Sequence, residues 1–425
     1  MEIKLLTNAE FLEFTKNFQL SSIYQTTNYA FTMHEQGYES MFVGLYDGSS
    51  IVAAGLILVH KVNGFKYGLV PRGFLINYND EELVSEFTKL LKKFLGKKDI
   101  VAIKVNPLVI RKVYDSNGHL IFNNNLYDVT FQRLTKMGYF HLGYNNNFEA
   151  LKPRFEAIVN LDLNFVQLFG NMNKSTRNKI RKATRDGIKV YHGSKDDLDL
   201  LYLQTKNKYP RDLDYFKDLY NFFEKDDLID FYYSKIDTTE YLKYTQDKYS
   251  KYLSKSNELS NLLINEGKNN DKIITKKLEV DKNVVKYKNQ LAEATTFLKD
   301  NPDGIVIASA LVIKWQNEVY VVMDGYDNKF KKFGGKQLLF WKIIGRYAKL
   351  GYKRLNLGGV SNINQINNKY KGLNDFKMSF HSNIIEYIGD FELITNNPLY
   401  FMYKNSFSIT GIFNKKLELD FINFF

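Results

Sequence analysis

The sequence predicts an α/β protein, of the α+β kind, interrupted by an inserted antiparallel coiled-coil arm. Three observations predict this class. Strand-like and helix-like periods alternate through the first 150 residues and again after residue 300. Residues 238–299 switch to a sustained heptad period. The 425 residues are 44% hydrophobic and 25% charged, enough apolar material for two or three folded domains. On these shifts the chain divides at 1–150 (a first subdomain), 151–237 and 300–395 (two parts of a second), 238–299 (the arm) and 396–425 (a return to the first).

The elements follow in order. Ala9 to Phe18 is a short helix, with Phe11, Phe14 and Phe18 on one face. Met41–Tyr46 and Ile51–His60 read as strands joined at Asp47-Gly48, a hairpin signal. Asp80 to Leu95 is an amphipathic helix capped by Asp80 and stopped by Gly96. Ile100 to Val105 is a strand ending at Asn106-Pro107. Lys152-Pro153-Arg154 precedes a strand, Ala157 to Leu161. Ser175 to Val190 reads as a basic helix: Ser175 can cap it, Gly187 can stop it, and Arg177, Arg181 and Arg185 repeat every four residues. A solvated face and a phosphate contact both fit that charge run. Arg211 and Tyr215, four residues apart, would share one helical face, with a planar cationic fork beside a ring.

Two heptad runs form the arm. The first carries Leu242, Thr245, Tyr249, Tyr252, Ser256, Leu259 and Leu263 at its core positions. The second carries Ile273, Lys277, Val280, Val284, Tyr287, Leu291, Ala294 and Leu298. Residues 265–270 form a turn-rich hinge, and the arm's twelve Lys against eight acidic residues leave it +4. After it come strands Ile305–Trp315 and Glu318–Met323, a loop from Asp324 to Asn328, and a helix from Lys336 to Leu350. A strand from Arg354 to Leu357 then runs into Gly358-Gly359 and a polar loop with four Asn between Asn362 and Asn368. The chain tightens at Gly372-Leu373-Asn374-Asp375-Phe376-Lys377 and closes with a strand from Ile384 to Phe391. A strand that ends in glycines and a polar loop commonly forms a binding mouth. Lys377 beside Phe376 suits charge neutralisation there.

Composition narrows the chemistry. A net charge of +12 favours an anionic partner: RNA, phosphorylated small molecules or an anionic membrane face. The absence of Cys excludes thiolate catalysis, disulfides and cysteine zinc sites, and the six His show no close-spaced pair. The N-terminal residues lack an apolar signal core, and the longest apolar run, Ile51 to Val59, falls well short of the ~18 residues a membrane span needs. A cytoplasmic location is expected.

The closing motif, Gly372-Leu373 through Phe376-Lys377 and Phe380 to Glu386-Tyr387-Ile388-Gly389, resembles that of the FemABX family. Ser22 to Tyr29, Pro71-Arg72-Gly73-Phe74, Lys152-Pro153-Arg154 and the basic helix are similar to family segments. The resemblance runs from about residue 20 to 395. It departs at Ala30–His34, where no lysine follows the early segment, and at Lys152, where the family has Gln. The family transfers amino acids from aminoacyl-tRNA to peptidoglycan precursors. It keeps a GNAT-like (acetyltransferase-type) fold twice over and uses no coenzyme A. FemA-like members carry an arm at this position, similar to the tRNA-gripping arm of seryl-tRNA synthetases.

The resemblance implies two GNAT-like subdomains, no cofactor and no metal. Its partners are an aminoacyl-tRNA and a precursor, either lipid II or a UDP-linked pentapeptide. Peripheral contact with the inner membrane face and a homo- or heterodimer are compatible with it. Lys377 would stabilise the developing oxyanion, placed by Phe376, with Asp375 or Asp324 as proton acceptor, or a ribose hydroxyl of the tRNA relaying the proton instead. Arg211, Tyr215, Tyr326, Arg72 and Tyr370 would hold the acceptor, and Arg177, Arg181 and Arg185 the tRNA. Two other functions compete. A coenzyme A-dependent N-acetyltransferase needs a small residue where Lys336 follows Gly334-Gly335. A non-catalytic RNA-binding protein would use the basic helix and arm alone.

Overall fold

A computed structural model describes residues 1–207, 211–265 and 271–409. Its strands, in chain order, are β1 (Glu2–Leu5), β2 (Glu39–Asp47), β3 (Ser50–Val62), β4 (Phe65–Pro71), β5 (Ile100–Asn106), β6 (Ile110–Tyr114), β7 (Leu120–Asn123) and β8 (Tyr139–His141). They continue with β9 (Phe155–Asn160), β10 (Ile188–Gly193), β11 (Ile229–Ile236), β12 (Ile305–Trp315), β13 (Glu318–Tyr326), β14 (Arg354–Val360), β15 (Asn383–Tyr387) and β16 (Phe391–Ile394). One sheet runs β1-β2-β3-β4-β5-β16-β8, the other β10-β11-β12-β13-β14-β9-β15-β6-β7.

Both sheets are built around the same unit. Antiparallel strands β2-β3-β4 lead through helix Glu81–Gly96 to β5, which pairs parallel to β4. Likewise β11-β12-β13 lead through helix Gly335–Lys349 to β14, parallel to β13. A parallel pair needs such a crossover, and the helix covers one face of its sheet. The expected fold, two GNAT-like units carrying an arm, is the observed one.

Two expected boundaries differ. Strands β6 and β7, placed in the first subdomain by the cut at residue 150, pair in the second sheet. The segment read as one strand from Ile384 to Phe391 is two: β15 joins the second sheet and β16 the first. Apolar residues stand on both sides of the break, and only Gly389-Asp390 between them marks it. The break lies at Gly389, at φ +98°, and at Asp390. The Asp390 carboxylate accepts from Asn106 at 2.5 Å and from the Leu151 N–H at 2.8 Å, tying the crossing point to both halves.

The arm consists of helices Thr238–Asn265 and Asp271–Asp300. Hinge residues 266–270 lie outside the described residues. Pairs descend antiparallel: Tyr241 with Glu293, Tyr252 stacked on Tyr287 at 5.3 Å, Ser256 with Asp281. The two polar interruptions of the heptads meet on one carboxylate, since Asp281 accepts from Ser256 and from Lys277 at 2.7 Å. A polar clasp of this kind fixes register at a cost in stability. At the base, Tyr241 and Phe297 pack on Phe333 of the second unit, and Thr238 donates to the Asn301 carbonyl at 2.9 Å. The arm's two ends are therefore adjacent.

Helix Asn397–Ile409 returns to the first sheet: Tyr403 packs on Tyr67, and Asn63 donates to Ser406. The rest of the expected return, residues 410–425, lies outside the described residues. Among the described residues no helix is long and apolar enough to cross a membrane.

Candidate active site

The two units enclose a cavity of about 1590 Å³, lined by Lys377, Phe376, Asp375, Tyr370, Arg211, Tyr215, Tyr326, Asp324, Lys336, Lys152 and Glu156 among others. Its floor begins where β14 bulges between Asn356 and Gly359. The Asn356 side chain accepts from the Gly358 N–H at 2.8 Å and donates to Glu156 and Glu318. Ser361 and the buried Asn374 exchange hydrogen bonds, which pins helix Lys371–Met378 to the end of the strand. Lys377, three residues on, shares that buried face. Its ammonium donates to the Gly359 carbonyl at 2.7 Å. Burial pulls the Lys377 pKa down to about 8; Asp324 and Glu156 oppose the pull and Lys336 adds to it. Phe376 packs edge-on against Phe340 and Phe380, which locks this turn of helix.

Gly358 holds φ +80°, and a Cβ there would lie 3.4 Å from the Lys377 ammonium. Gly358→Ala should therefore cost about 1 kcal/mol of stability through left-handed backbone strain. Strain at this turn, next to the Gly359 carbonyl that holds the Lys377 ammonium, should also slow turnover by about 10-fold. Chemical denaturation and initial-rate assays read the two effects; an unchanged rate would show that Gly358 does not position Lys377.

Asp324, Gly325 and Tyr326 lie in β13, not in the loop expected from residue 324; the loop starts at Asp327. Strand pairing of Asp324 with Ala310 and Gly325 with Ser309 prolongs the hairpin past the glycine. The Asp324 carboxylate is ion-paired with Lys336. The Lys336 ammonium also lies 4.3 Å from the centre of the Phe376 ring and 4.9 Å from that of Tyr326. A coenzyme A loop brings a small residue to this helix start. Here a paired lysine side chain lines the cavity instead.

Arg211 stands before helix Leu213–Glu224, which Asp212 caps, so it does not share a helical face with Tyr215. The two still meet: the guanidinium lies 4.3 Å from the centre of the Tyr215 ring, and both line the cavity.

Other expected site residues lie elsewhere. Arg72 is 1% exposed and absent from the lining; it donates to Glu156 at 2.6 Å and to Asn106 at 2.9 Å. It holds Glu156 in place rather than facing a ligand. Asp375 is exposed at the rim, 3.7 Å from Lys371. The basic helix is Lys174–Arg185; Asn173, not Ser175, precedes it, and Gly187 at φ +78° follows it. Arg177 donates to the Gly170 carbonyl, Arg181 lies over Phe169, and Arg185 lies near Asp186. None of the three lines the cavity; from that helix Ser175, Thr176 and Lys179 do. Sequence reading missed Lys179 and Glu156. The latter is a charge inside an apolar strand, Phe155-Glu156-Ala157-Ile158-Val159, which is itself a signal. Among the described residues no group of three or more His, Asp or Glu could hold a metal ion.

The model of the FemAB family matches residues 6–406. The chain is 26% identical over 415 residues to the aminoacyltransferase FemA of Staphylococcus epidermidis, covering 95% of this chain and 98% of that one. It is 25% identical over 426 residues to the aminoacyltransferase FemA of Staphylococcus aureus, covering 95% and 97%. The crystal structure of FemX superposes with a TM-score of 0.73 at 21% identity, over 95% of this chain and 99% of the other, which extends the likeness to the fold. With two like α/β units, a shared cavity and a family match across nearly its whole length, this chain belongs to the FemAB family.

Proposed function

We propose that the chain is an aminoacyltransferase that moves an amino acid from aminoacyl-tRNA to an amine on the stem peptide, or on the growing bridge, of a peptidoglycan precursor. The observation that carries this reading is Lys377: a buried cation at the wall of a large cavity that also holds Arg211 and Tyr215. The names of the FemA relatives agree with it. The acceptor nitrogen attacks the ester carbonyl carbon, and a negative charge develops on the carbonyl oxygen. The carbon–oxygen bond to the tRNA ribose then breaks, a peptide bond remains, and the proton lost by the amine ends on the ribose oxygen. The ester is already activated, so positioning and oxyanion stabilisation supply the rate.

Each residue then has a task. Lys377, the catalytic residue, meets the oxyanion. Arg211, Tyr215, Tyr326 and Tyr370 hold the acceptor. Asp324 is occupied by Lys336 and Asp375 faces solvent at the rim. The ribose hydroxyl beside the ester therefore relays the proton. Arg181 and Arg185 on the outer face of the basic helix, with the lysines of the arm, meet the tRNA backbone. The chain works in the cytoplasm, where both substrates are made. Muropeptide analysis of a strain lacking the gene tests the reading: bridges should be shortened or missing. A profile identical to the parent's would contradict it.

A further inference from the structure

Lys152 is 5% exposed in the cavity wall. Its ammonium lies 3.9 Å from the centre of the Tyr24 ring and 5.5 Å from that of Tyr29. These ring faces are its contacts; among the described residues no carboxylate or carbonyl accepts from it or pairs with it. Glu156 acts on it electrostatically, but that carboxylate already accepts from Arg72 at 2.6 Å, Asn356 at 2.9 Å and Tyr387 at 3.1 Å. Arg211 and Arg72 also face it, as like charges. A buried ammonium with three donors and no acceptor is costly unless something supplies the acceptors. Lys152 borders the cavity, so a ligand can.

We propose that Lys152 is a ligand-binding residue which, with Arg211, seats a phosphate group of the acceptor, its ammonium steered by the faces of Tyr24 and Tyr29. The proposal rests on the reading of the chain as an enzyme that binds a phosphate-bearing acceptor. Phosphate is favoured over carboxylate because its oxygens can satisfy the arginine fork and the lysine donors together. Proton uptake follows. Burial, reinforced by Arg211 and Arg72 and opposed by Glu156, holds the Lys152 pKa well below the ordinary lysine value. A phosphate seated beside it raises that pKa. Binding thus draws a proton onto Lys152 at any pH between the free and bound values, and none below the free value.

Calorimetry in two buffers of different ionisation heat, at pH 8, reads affinity and proton uptake together. The probes are UDP-N-acetylmuramoyl-pentapeptide and, separately, inorganic pyrophosphate. Wild type should take up as much as one proton with the precursor, whose diphosphate diester has none to give, and less with pyrophosphate, which itself carries a proton at this pH. Lys152→Met should weaken both by about 10-fold or more and remove its own share of the uptake, leaving at most what Lys377, also in this cavity with a pKa of about 8, contributes. Lys152→Arg, charged throughout, should keep affinity and lose the same share of the uptake. A Lys152→Met protein that binds pyrophosphate within twofold of wild type with unchanged uptake overturns the proposal. If that variant does not fold, unchanged uptake in Lys152→Arg overturns it equally. Lys152-dependent pyrophosphate binding without precursor binding would keep the Lys152 seat and sink the acceptor reading. Precursor binding indifferent to Lys152 would do the reverse.

Discussion

Replacing Lys377 by Met should slow transfer by ~10²-fold or more without unfolding the protein. Methionine keeps the length of the side chain and suits a buried site. What it removes is the cation and its bond to the Gly359 carbonyl. Stability should not fall. The folded pKa of about 8 lies below the ordinary 10.5, so at neutral pH the fold bears the cost of a buried charge. That cost is relieved as pH rises from about 8 toward 10.5, because the folded chain then binds fewer protons than the unfolded one. The rate has the opposite dependence. In the proposed role the protonated lysine is the active form, so wild-type transfer should be full below the Lys377 pKa and fall as pH rises through about 8. The variant's residual rate should lack that limb. Activity within a factor of two of wild type, or an unchanged pH profile, would remove Lys377 from the chemistry.

Cutting back the arm should produce the second large effect, on the donor alone. The arm's base belongs to the core of the second unit, because Tyr241 and Phe297 pack on Phe333 and Lys332 pairs with Glu293. A useful deletion therefore spares the base and replaces residues 247–289 with a short Gly-Ser linker. The two helices run antiparallel, so their cut ends lie close enough for such a linker. The remaining core should melt as one body, and precursor affinity should be unchanged. Affinity for tRNA should drop by about 10-fold or more, with a shallower salt dependence, because each lost lysine–phosphate contact removes a released counterion. A coiled coil that served only stability or dimerisation would leave tRNA affinity intact. It would instead lower the melting temperature or change the mass in light scattering.

Much of the fold was legible in the sequence because it is written in periods. The heptads of the arm were read residue by residue, and its predicted core positions are the buried or half-buried ones. The strand–helix–strand units were legible for the same reason. Sheet membership was not. Strands β6, β7 and β16 sit in the sheet opposite to their sequence neighbours, and pairing over 200 residues leaves no local pattern. The site divides similarly. Phe376-Lys377 stood out through its motif, and Arg211 and Tyr215 came together although the helix starts after Arg211. Arg72 looked like a ligand contact because a buried arginine and a site arginine share a sequence signature. Only its partners, Glu156 and Asn106, separate them. Lys152 is the converse case: its proposed role depends on Tyr24 and Tyr29, more than a hundred residues away.

The most direct test of the account is transfer itself. Purified chain is mixed with tRNA charged with radiolabelled amino acids and with UDP-N-acetylmuramoyl-pentapeptide or lipid II. Label should move to the acceptor in a linkage that survives the mild base that hydrolyses the tRNA ester, and should fail to move with Lys377→Met. Tight tRNA binding with no label on any acceptor, or acetylation of an amine when acetyl-CoA replaces the charged tRNA, would contradict the account.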